Sequence, residues 1–416
     1  MCLYTLAVIA GLFIFGELLF LYQMAINCRY ALRKGNKPRM NYRPRAAVII
    51  PCKGIDETFD INITSAYYQD YGNFSLYFVV EDSADPAYPH LCRLKEKLAI
   101  ESKAKDVHLL IAGHATASSQ KIHNLLHCVR QLPDDTEVIA FADSDACLRS
   151  DWLSHLVYPL RQDKTGVATG YRWFIPQQNN LATLTLSAVN ARVAQLLGSY
   201  RFNQAWGGSM AIRKSLFEQL EVEKVWSGSA SDDYVLSYLV KRAKKKIAYI
   251  PACLVGSYEQ TTWPAFFEFA RRQFVITRVT MLRTWLFSLF ATVFSNTGFY
   301  AFAALAIYFA TIGSSRAALT AALVPATFLF SHLALACMRQ YMITKLLHDQ
   351  AGKLKTARLF DMLTGPILSA ILLIVVLSSA FGRKIKWRGI EYILAGPTKT
   401  IKLTKPNYCT AGSPTR

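Results

Sequence analysis

The sequence predicts an α/β domain with a mainly parallel sheet, joined to apolar segments long enough to cross a membrane. Two observations support this prediction. Short runs rich in Val, Ile and Phe recur over residues 46–142 with starts about thirty residues apart, which is the length of a strand–helix–strand unit. Long apolar stretches stand before and after the region that contains these runs, as expected for membrane helices.

The composition agrees with a chain that is partly soluble and partly embedded in a membrane. Of the 416 residues 52% are hydrophobic, and the mean hydropathy is +0.19. The formal net charge is +19, but residues 1–45 carry +6, residues 339–416 carry +10 and the rest only +3. Basic residues beside apolar segments follow the positive-inside rule, whereas a nucleic-acid groove needs them on the globular domain. A nucleic-acid partner is therefore not predicted, and nine cysteines without metal-type spacing predict free thiols.

The first apolar segment is predicted to be a permanent membrane anchor. Leu3 to Ile26 is apolar except for Glu17, and as a helix it would be about 36 Å long, enough to span a bilayer. Seven basic residues follow it up to Arg45 without an acid. A cleaved signal peptide carries its charges on the other side. Residues 1–45 are thus read as an anchor with a basic juxtamembrane segment, with the N-terminus outside and the following domain in the cytosol.

Residues 46–262 are predicted to form the globular domain. Short apolar runs bounded by turn residues read as buried strands of a parallel sheet. The predicted strands are Ala46–Pro51, Ser75–Glu81, Val107–Ile111, Glu137–Ala142, Gly166–Gly170, Gly208–Arg213 and Ile247–Pro251.

The rest of the chain is predicted to return to the membrane. Residues 263–285 mix aromatic and basic side chains, which is typical of a helix in the membrane interface. Residues 286–382 hold three apolar segments, Leu286–Gly313, Ala317–Met338 and Met362–Phe381. Basic residues on both sides of the third segment predict that the first two form a crossing hairpin, while the third, interrupted near Gly365, does not cross. Residues 383–416 are predicted to be a basic cytosolic tail whose first part returns to the globular domain.

A pair of acids directly after the fourth predicted strand is the first candidate for chemistry. Asp143 and Asp145 follow Glu137–Ala142, and ligands of open α/β sheets bind just outside the carboxyl ends of such strands. Two carboxylates there form a hard-oxygen site for Mg²⁺ or Mn²⁺. The alternative is a solvated acidic turn that caps the next helix.

Three further segments carry candidate site residues. Asp82, after the second predicted strand, can accept hydrogen bonds from a nucleobase or ribose, or it can form an Asx-turn before Pro86. Lys121, near a predicted helix start, can neutralise a diphosphate or be an ordinary surface lysine. Asp232 and Asp233 precede an apolar helical run, where one can be the N-cap and the other a general base for an acceptor hydroxyl.

Together these motifs resemble those of the inverting GT-A glycosyltransferases of family 2 type, and most closely their ceramide glucosyltransferase-like branch. The matching segments are IIPCKGID, EDSADPAY, QKIHNL, FADSD, GGSMAIRKSLF, SDDYVL and IKWRGIEYIL. The resemblance implies a Rossmann-like GT-A domain in which Asp82 contacts the nucleotide. It further implies that Asp143 and Asp145 hold the diphosphate with Mn²⁺ or Mg²⁺, and that Asp233 is the catalytic base.

The chain departs from the pattern of this family at the fourth motif. That motif is usually Q/R-x-x-R-W, and here the stretch Ala270 to Phe274 reads ARRQF, with Gln and Phe in place of Arg and Trp. Arg271 or Arg272 is expected to reach the departing diphosphate through bidentate hydrogen bonds. Asp232, Gln273 and Phe274 are expected on the acceptor side.

The expected activity is transfer of a single sugar from a UDP-sugar, such as UDP-glucose, to a lipid hydroxyl, such as that of ceramide, within the bilayer. The alternatives are a processive polysaccharide synthase, a polyprenyl-phosphate glycosyltransferase and a non-catalytic membrane scaffold. A processive synthase would need more membrane spans and an intact fourth motif. A scaffold is disfavoured because all three acidic motifs are present.

Overall fold

A central β-sheet confirms the predicted α/β domain. The computed structural model describes residues 3–35, 41–199, 202–387 and 390–402. The strands are β1 (Ala46–Pro51), β2 (Phe74–Val80), β3 (Val107–Ile111), β4 (Val138–Ala142), β5 (Thr165–Pro176), β6 (Ser209–Arg213) and β7 (Lys246–Glu259). Within the described residues they form one seven-stranded sheet in the order β3-β2-β1-β4-β6-β5-β7. Strand β6 is antiparallel to β4 and β5, and the other neighbouring pairs are parallel.

Helices cover both faces of this sheet. They are α2 (Phe59–Tyr67), α3 (Ala87–Lys97), α4 (Gln120–Val129), α5 (Trp152–Val157), α6 (Leu181–Gln195), α7 (Lys214–Gln219), α8 (Val222–Trp226) and α9 (Asp232–Arg242). Successive side chains of a strand point to opposite faces, so Val48 and Ile50 pack in one hydrophobic core while Ala47 and Ile49 pack in another. Burial on both faces explains why β1 reads as an unbroken apolar run.

Further helices precede and follow the sheet domain. They are α1 (Leu3–Gly35), α10 (Trp263–Thr280), α11 (Leu282–Asn296), α12 (Phe302–Thr311), α13 (Ser315–Leu346), α14 (Lys355–Leu363) and α15 (Gly365–Ser378), with a π-helical turn between α11 and α12. Three stretches of the described chain are each long and apolar enough to cross a membrane, namely 3–34, 282–311 and 315–346, and the bent pair 348–363 and 365–378 would be a fourth if it forms one span. The protein is therefore an integral membrane protein. The predicted interfacial helix ends at Thr280 rather than at Trp285, because the backbone leaves the helical region at Met281.

The turn between α12 and α13 lies beside the start of α1. Gly313 has a φ of +71°, a value that favours glycine, and the residues around Ser314 line a cavity together with Leu3 and Leu6. The opposite end of α1 contacts the sheet domain, where the Tyr30 hydroxyl donates to the Tyr249 carbonyl oxygen at 2.9 Å. This arrangement is that of a helical hairpin running alongside α1.

The last apolar segment is bent. Helix α14 and helix α15 meet at Thr364 with an angle of 84° between the segments 348–363 and 365–378. Glycine and proline at the start of α15 account for the break, because proline fits the first turn of a helix and not its interior. A helix of 14 residues is about 21 Å long, which is shorter than the hydrocarbon core of about 30 Å.

The tail folds back onto the sheet domain, as predicted. Strands β8 (Lys384–Trp387), β9 (Ile390–Gly396) and β10 (Lys399–Lys402) form an antiparallel sheet. Ile390 and Tyr392 pack with Ala230 and Val275 in one hydrophobic cluster, and the Thr400 amide donates to the Gly228 carbonyl oxygen at 2.8 Å. Of the predicted basic segments, residues 36–40, 388–389 and 403–416 lie outside the described part of the chain.

A buried polar network joins the membrane helices to the sheet domain. Arg339 of α13 donates to both oxygens of Asp361 of α14 at 3.0 and 2.7 Å, and to the side-chain oxygen of Gln195 of α6 at 2.7 Å. Asn27 of α1 donates to the Gln195 carbonyl oxygen at 3.1 Å. Arg339 is 2% exposed and Asp361 is fully buried. Breaking such a pair leaves an uncompensated buried charge, so this network fixes the helices against α6.

Candidate active site

The end of β4 brings three sequence motifs together around one ammonium group. Asp143 follows the fully buried β4, and its Oδ1 lies 2.7 Å from the Nζ of Lys121. The same Nζ lies 3.0 Å from Oδ2 of Asp232. Lys121 is positioned by the start of α4, where Ser119 is the N-cap and accepts from the Ile122 amide. The structure thus brings Lys121, Asp143 and Asp232 together, and it places Asp232, which was expected on the acceptor side, against the Lys121 ammonium.

The electrostatics of this cluster follow from burial and charge. Burial by itself would lower the pKa of Lys121, but the surrounding carboxylates of Asp143, Asp232 and Asp233 outweigh it, so the pKa is raised. Burial raises the pKa of Asp232 to about 6, with Lys121 opposing that shift. Lys121 therefore remains a cation and neutralises part of the negative charge around it.

Two glycines form the floor of the cluster. A Cβ on Gly207 would lie 2.2 Å from Oδ2 of Asp232, and one on Gly208 would lie 2.1 Å from the Trp206 ring and 2.7 Å from Oδ2 of Asp143. Glycine therefore fits both positions, because side chains of the site pack directly on the backbone there. In the sequence the two glycines appeared only within the motif GGSMAIRKSLF of the resemblance. Paired glycines just before a strand are a signal for such close approach.

The two acids of α9 have different environments, and neither is the N-cap. Ser231 caps the helix, so the expectation that one of the acids does so is corrected. Asp233 Oδ1 accepts from the Ser231 hydroxyl at 2.6 Å and from the Tyr234 amide at 2.7 Å, and Oδ2 accepts from the Gly207 amide at 3.1 Å. Asp233 is partly exposed, whereas Asp232 is 3% exposed.

Asp145 lies next to an arginine that the sequence analysis missed. Nη1 of Arg172, from β5, is 3.9 Å from Oδ2 of Asp145. The Arg172 guanidinium carbon lies 4.6, 5.4 and 5.6 Å from the ring centroids of Phe174, Trp206 and Phe269. Arg172 was missed because the predicted fifth strand ended at Gly170. An arginine flanked by aromatic residues was the available signal.

A second polar group lies at the ends of β1 and β2. Glu81 is 2% exposed and contacts the Lys53 Nζ and the His114 Nδ1, each at 2.6 Å. Asp82 is partly exposed, and its Oδ1 accepts from the Ala84 amide at 2.9 Å, which is the Asx-turn considered above. Glu81, Lys53 and His114 were not predicted as site residues, although each lies within three residues of a strand end. Contact of Asp82 with a nucleotide stays a prediction.

The arginines of the fourth motif bind backbone carbonyls after α15. Arg271 donates to the Ser378 and Phe381 carbonyl oxygens at 3.2 and 2.8 Å, and Arg272 donates to the Lys386 carbonyl oxygen at 3.0 Å. Their contact with a diphosphate stays a prediction, as do the acceptor-side roles of the next two residues. Those residues are Gln273, which is partly exposed, and Phe274, which packs in the cluster shared by α6, α10 and α15.

The residues at the end of β4 fit a divalent cation that is shared with a substrate. In the described ranges, no group of three or more His, Cys, Asp or Glu side chains could hold a metal ion by itself. Mg²⁺ is usually bound by one or two carboxylates together with substrate phosphates and water. Asp143 and Asp145 are both partly exposed and supply such oxygens. They would hold the ion together with a diphosphate.

Comparison with known proteins identifies the family. The model of glycosyl transferase family 21 matches residues 12–399. The fold is similar to that of the mannosyltransferase PcManGT from Pyrobaculum calidifontis, solved with GDP-Man and Mn²⁺, with a TM-score of 0.44 and 18% identity over 90% of this chain and 99% of that one. It is also similar to GalNAc-T7, solved with UDP, GalNAc and Mn²⁺, with a TM-score of 0.41 and 13% identity over 61% of this chain and 51% of that one. Because the family model spans most of the sequence, the chain belongs to glycosyl transferase family 21 and is an integral membrane glycosyltransferase.

Proposed function

We propose that this enzyme transfers a single sugar from a UDP-sugar, such as UDP-glucose, to the hydroxyl of a membrane lipid, such as ceramide, with inversion at the anomeric carbon. The observation that carries the proposal is the convergence of Lys121, Asp143, Asp232 and Asp233 at the carboxyl end of β4. A cation and several acids in one cleft suit a donor diphosphate on one side and a hydroxyl nucleophile on the other.

Asp233 is assigned as the general base. The lipid hydroxyl oxygen attacks the anomeric carbon while the bond from that carbon to the UDP oxygen breaks, and the hydroxyl proton passes to the Asp233 carboxylate. Asp233 is the more exposed acid of the pair at the start of α9, so a substrate can reach it. The donors on Asp233, from Ser231, Tyr234 and Gly207, hold its carboxylate in one orientation. Asp232 is buried against Lys121 and is assigned to positioning.

The leaving UDP is stabilised by positive charge at the end of β4. Lys121 supplies one permanent charge, held at the start of α4 by Asp143 and Asp232. Mn²⁺ or Mg²⁺ bound by Asp143 and Asp145 would neutralise charge on the diphosphate. Such electrostatic stabilisation is usually the largest single contribution to catalysis.

The acceptor is proposed to approach along α10. One face of α10 is buried through Phe266 and Val275, while Trp263 and Phe267 are about two-fifths exposed. Aromatic side chains of this kind favour the membrane interface. Tyr234, next to Asp233, accepts a hydrogen bond from Thr277 of α10 at 2.8 Å. This contact ties the proposed base to the proposed entrance for lipid.

Release of UDP tests the proposal directly. Purified enzyme in lipid nanodiscs is incubated with UDP-glucose and Mn²⁺, with ceramide, with a polyprenyl phosphate or with neither, and the lipids are analysed by mass spectrometry. We expect UDP and one hexosylated lipid with ceramide. A product with polyprenyl phosphate only would make that lipid phosphate, and not ceramide, the acceptor. A polymeric product would indicate a processive synthase. Absence of UDP in every arm would reject these substrates.

Membrane topology gives a separate prediction. Cysteines introduced at Ser314, Lys353 and Lys399, in a background without the nine native cysteines, are labelled with an impermeant maleimide on intact cells. Ser314 should react from outside, because it lies at the turn between α12 and α13. Lys353 and Lys399 should react only after permeabilisation, because the catalytic domain is proposed to face the cytosol and the segment 365–378 is proposed not to cross. Outside labelling at Lys399 would contradict this account of the tail.

A further inference from the structure

The fourth motif of this chain departs from the pattern that it resembles. The resemblance described above implies an arginine where this chain has Gln273. The neighbouring arginines, Arg271 and Arg272, donate to carbonyl oxygens at the end of α15 and after it. If the donor is a UDP-sugar, as proposed above, the charge on the leaving diphosphate calls for another positive group in this part of the cleft.

Arg172 is placed to supply that group. It arises from β5, and its guanidinium contacts the ring of Phe269 in α10. Phe269 and Gln273 are four residues apart in α10, so they lie on the same face of that helix. Arg172 therefore reaches, from the sheet, the face of α10 that carries Gln273.

The surroundings of Arg172 restrict its guanidinium without using up its hydrogen-bond donors. Contact with the faces of Phe174, Trp206 and Phe269 holds the group by cation–π attraction. The contact with Asp145 is an ion pair at 3.9 Å, longer than a charge-assisted hydrogen bond. A planar guanidinium beside a carboxylate that binds the cation of a diphosphate can donate two parallel hydrogen bonds to phosphate oxygens.

We propose that Arg172 contacts the diphosphate of the donor and stabilises the leaving UDP, in place of the arginine that is missing from the fourth motif. This assignment rests on the proposed UDP-sugar donor. It makes Arg172 a donor-binding residue and accounts for its position between the carboxylate pair and α10.

Nucleotide binding by the full-length protein in nanodiscs tests the assignment. Affinities for UDP and for uridine are measured by calorimetry, with Mn²⁺ and again in EDTA, for wild type, Arg172→Gln, Arg172→Lys and Arg130→Gln. Arg172→Gln should weaken UDP binding by about 10- to 100-fold, the usual effect of losing hydrogen bonds to a charged group, and the loss should persist in EDTA. Uridine affinity should not change, because uridine has no phosphate.

The two other variants provide the comparison. Arg172→Lys keeps the charge but not the planar guanidinium, so it should lose UDP affinity by a smaller factor than Arg172→Gln and bind uridine normally. If Arg172→Gln does not fold, Arg172→Lys replaces it in the comparison. Arg130→Gln removes an exposed guanidinium that pairs with Glu223 just after the end of α4, so its affinities for UDP and for uridine should both stay at the wild-type values. Unchanged UDP affinity in both Arg172 variants, or equal losses for UDP and uridine, would overturn the assignment of Arg172 to the diphosphate but not the proposed function. If wild type binds no UDP, the proposed donor is wrong as well.

Discussion

Asp233→Asn should lower turnover by about 10²–10⁴-fold, the usual contribution of a positioned general base, while UDP affinity stays near the wild-type value. The amide keeps the size of the side chain but cannot take the proton of the acceptor hydroxyl. The diphosphate is proposed to be held by Lys121 and the carboxylates at the end of β4, so donor binding should survive. Initial rates of glycolipid formation, together with calorimetric titration of UDP, measure the two quantities separately.

Asp232→Asn is the matched control for this prediction. Asp232 is buried and lies 3.0 Å from the Lys121 ammonium, so its substitution should affect donor binding more than proton transfer. We expect a raised KM for the UDP-sugar and a smaller loss of kcat than in Asp233→Asn. Near-normal turnover in Asp233→Asn, with the large loss of kcat in Asp232→Asn instead, would move the role of base to Asp232.

Loss of Asp145 should be the second large effect. Asp145→Ala removes one of the two carboxylates proposed to hold the cation, so transfer should fall by about 10²–10³-fold, the size of effect seen when a group that stabilises developing charge is lost. EDTA should abolish transfer by the wild-type enzyme, and added Mn²⁺ should restore it. Rates of UDP release across a Mn²⁺ titration measure both effects.

Asp163→Ala supplies the control for Asp145→Ala. Asp163 is 89% exposed and pairs with Lys245 on the surface. The Asp163→Ala variant should therefore keep wild-type activity and the same response to Mn²⁺. Full activity of the wild type in EDTA would mean that basic residues alone neutralise the diphosphate, and the proposed role of the cation would have to be abandoned.

Strands buried on both faces were the part of the fold that the sequence predicted best. Strand β1 has the predicted bounds Ala46–Pro51, and β4 begins one residue after the start of the predicted strand Glu137–Ala142. Predictions stopped short for β5 and β7, where only the first halves, near Gly166–Gly170 and Ile247–Pro251, were recognised. Both strands continue after a register shift near Thr169, β5 into a part where polar and aromatic residues replace the apolar run, and β7 through Pro251, a residue that usually marks the end of a strand. A rule based on continuous hydrophobicity cannot follow a strand through such a change.

The acidic residues of the site were recognisable because each stands at the end of an element. Their partners were harder to find, since partnership depends on strand order. Glu81 pairs with Lys53 because β1 and β2 are neighbours, and Arg172 reaches Asp145 because β5 lies near the end of β4 in the folded sheet. Strand order is set by packing across the whole domain, and no local pattern records it.

The network around Arg339 and Asp361 has a consequence for the choice of acceptor. Since α1, α13 and α14 are fixed to α6 by buried hydrogen bonds, we expect Asp233 to stay at one height relative to the membrane helices, whatever the substrate. We therefore expect the enzyme to glycosylate only hydroxyls that lie at one distance from the membrane surface. A lipid whose hydroxyl lies at the base of its headgroup would place that hydroxyl at the right distance. The same lipid with a long hydrophilic spacer would present its hydroxyl too far from the membrane to be glycosylated.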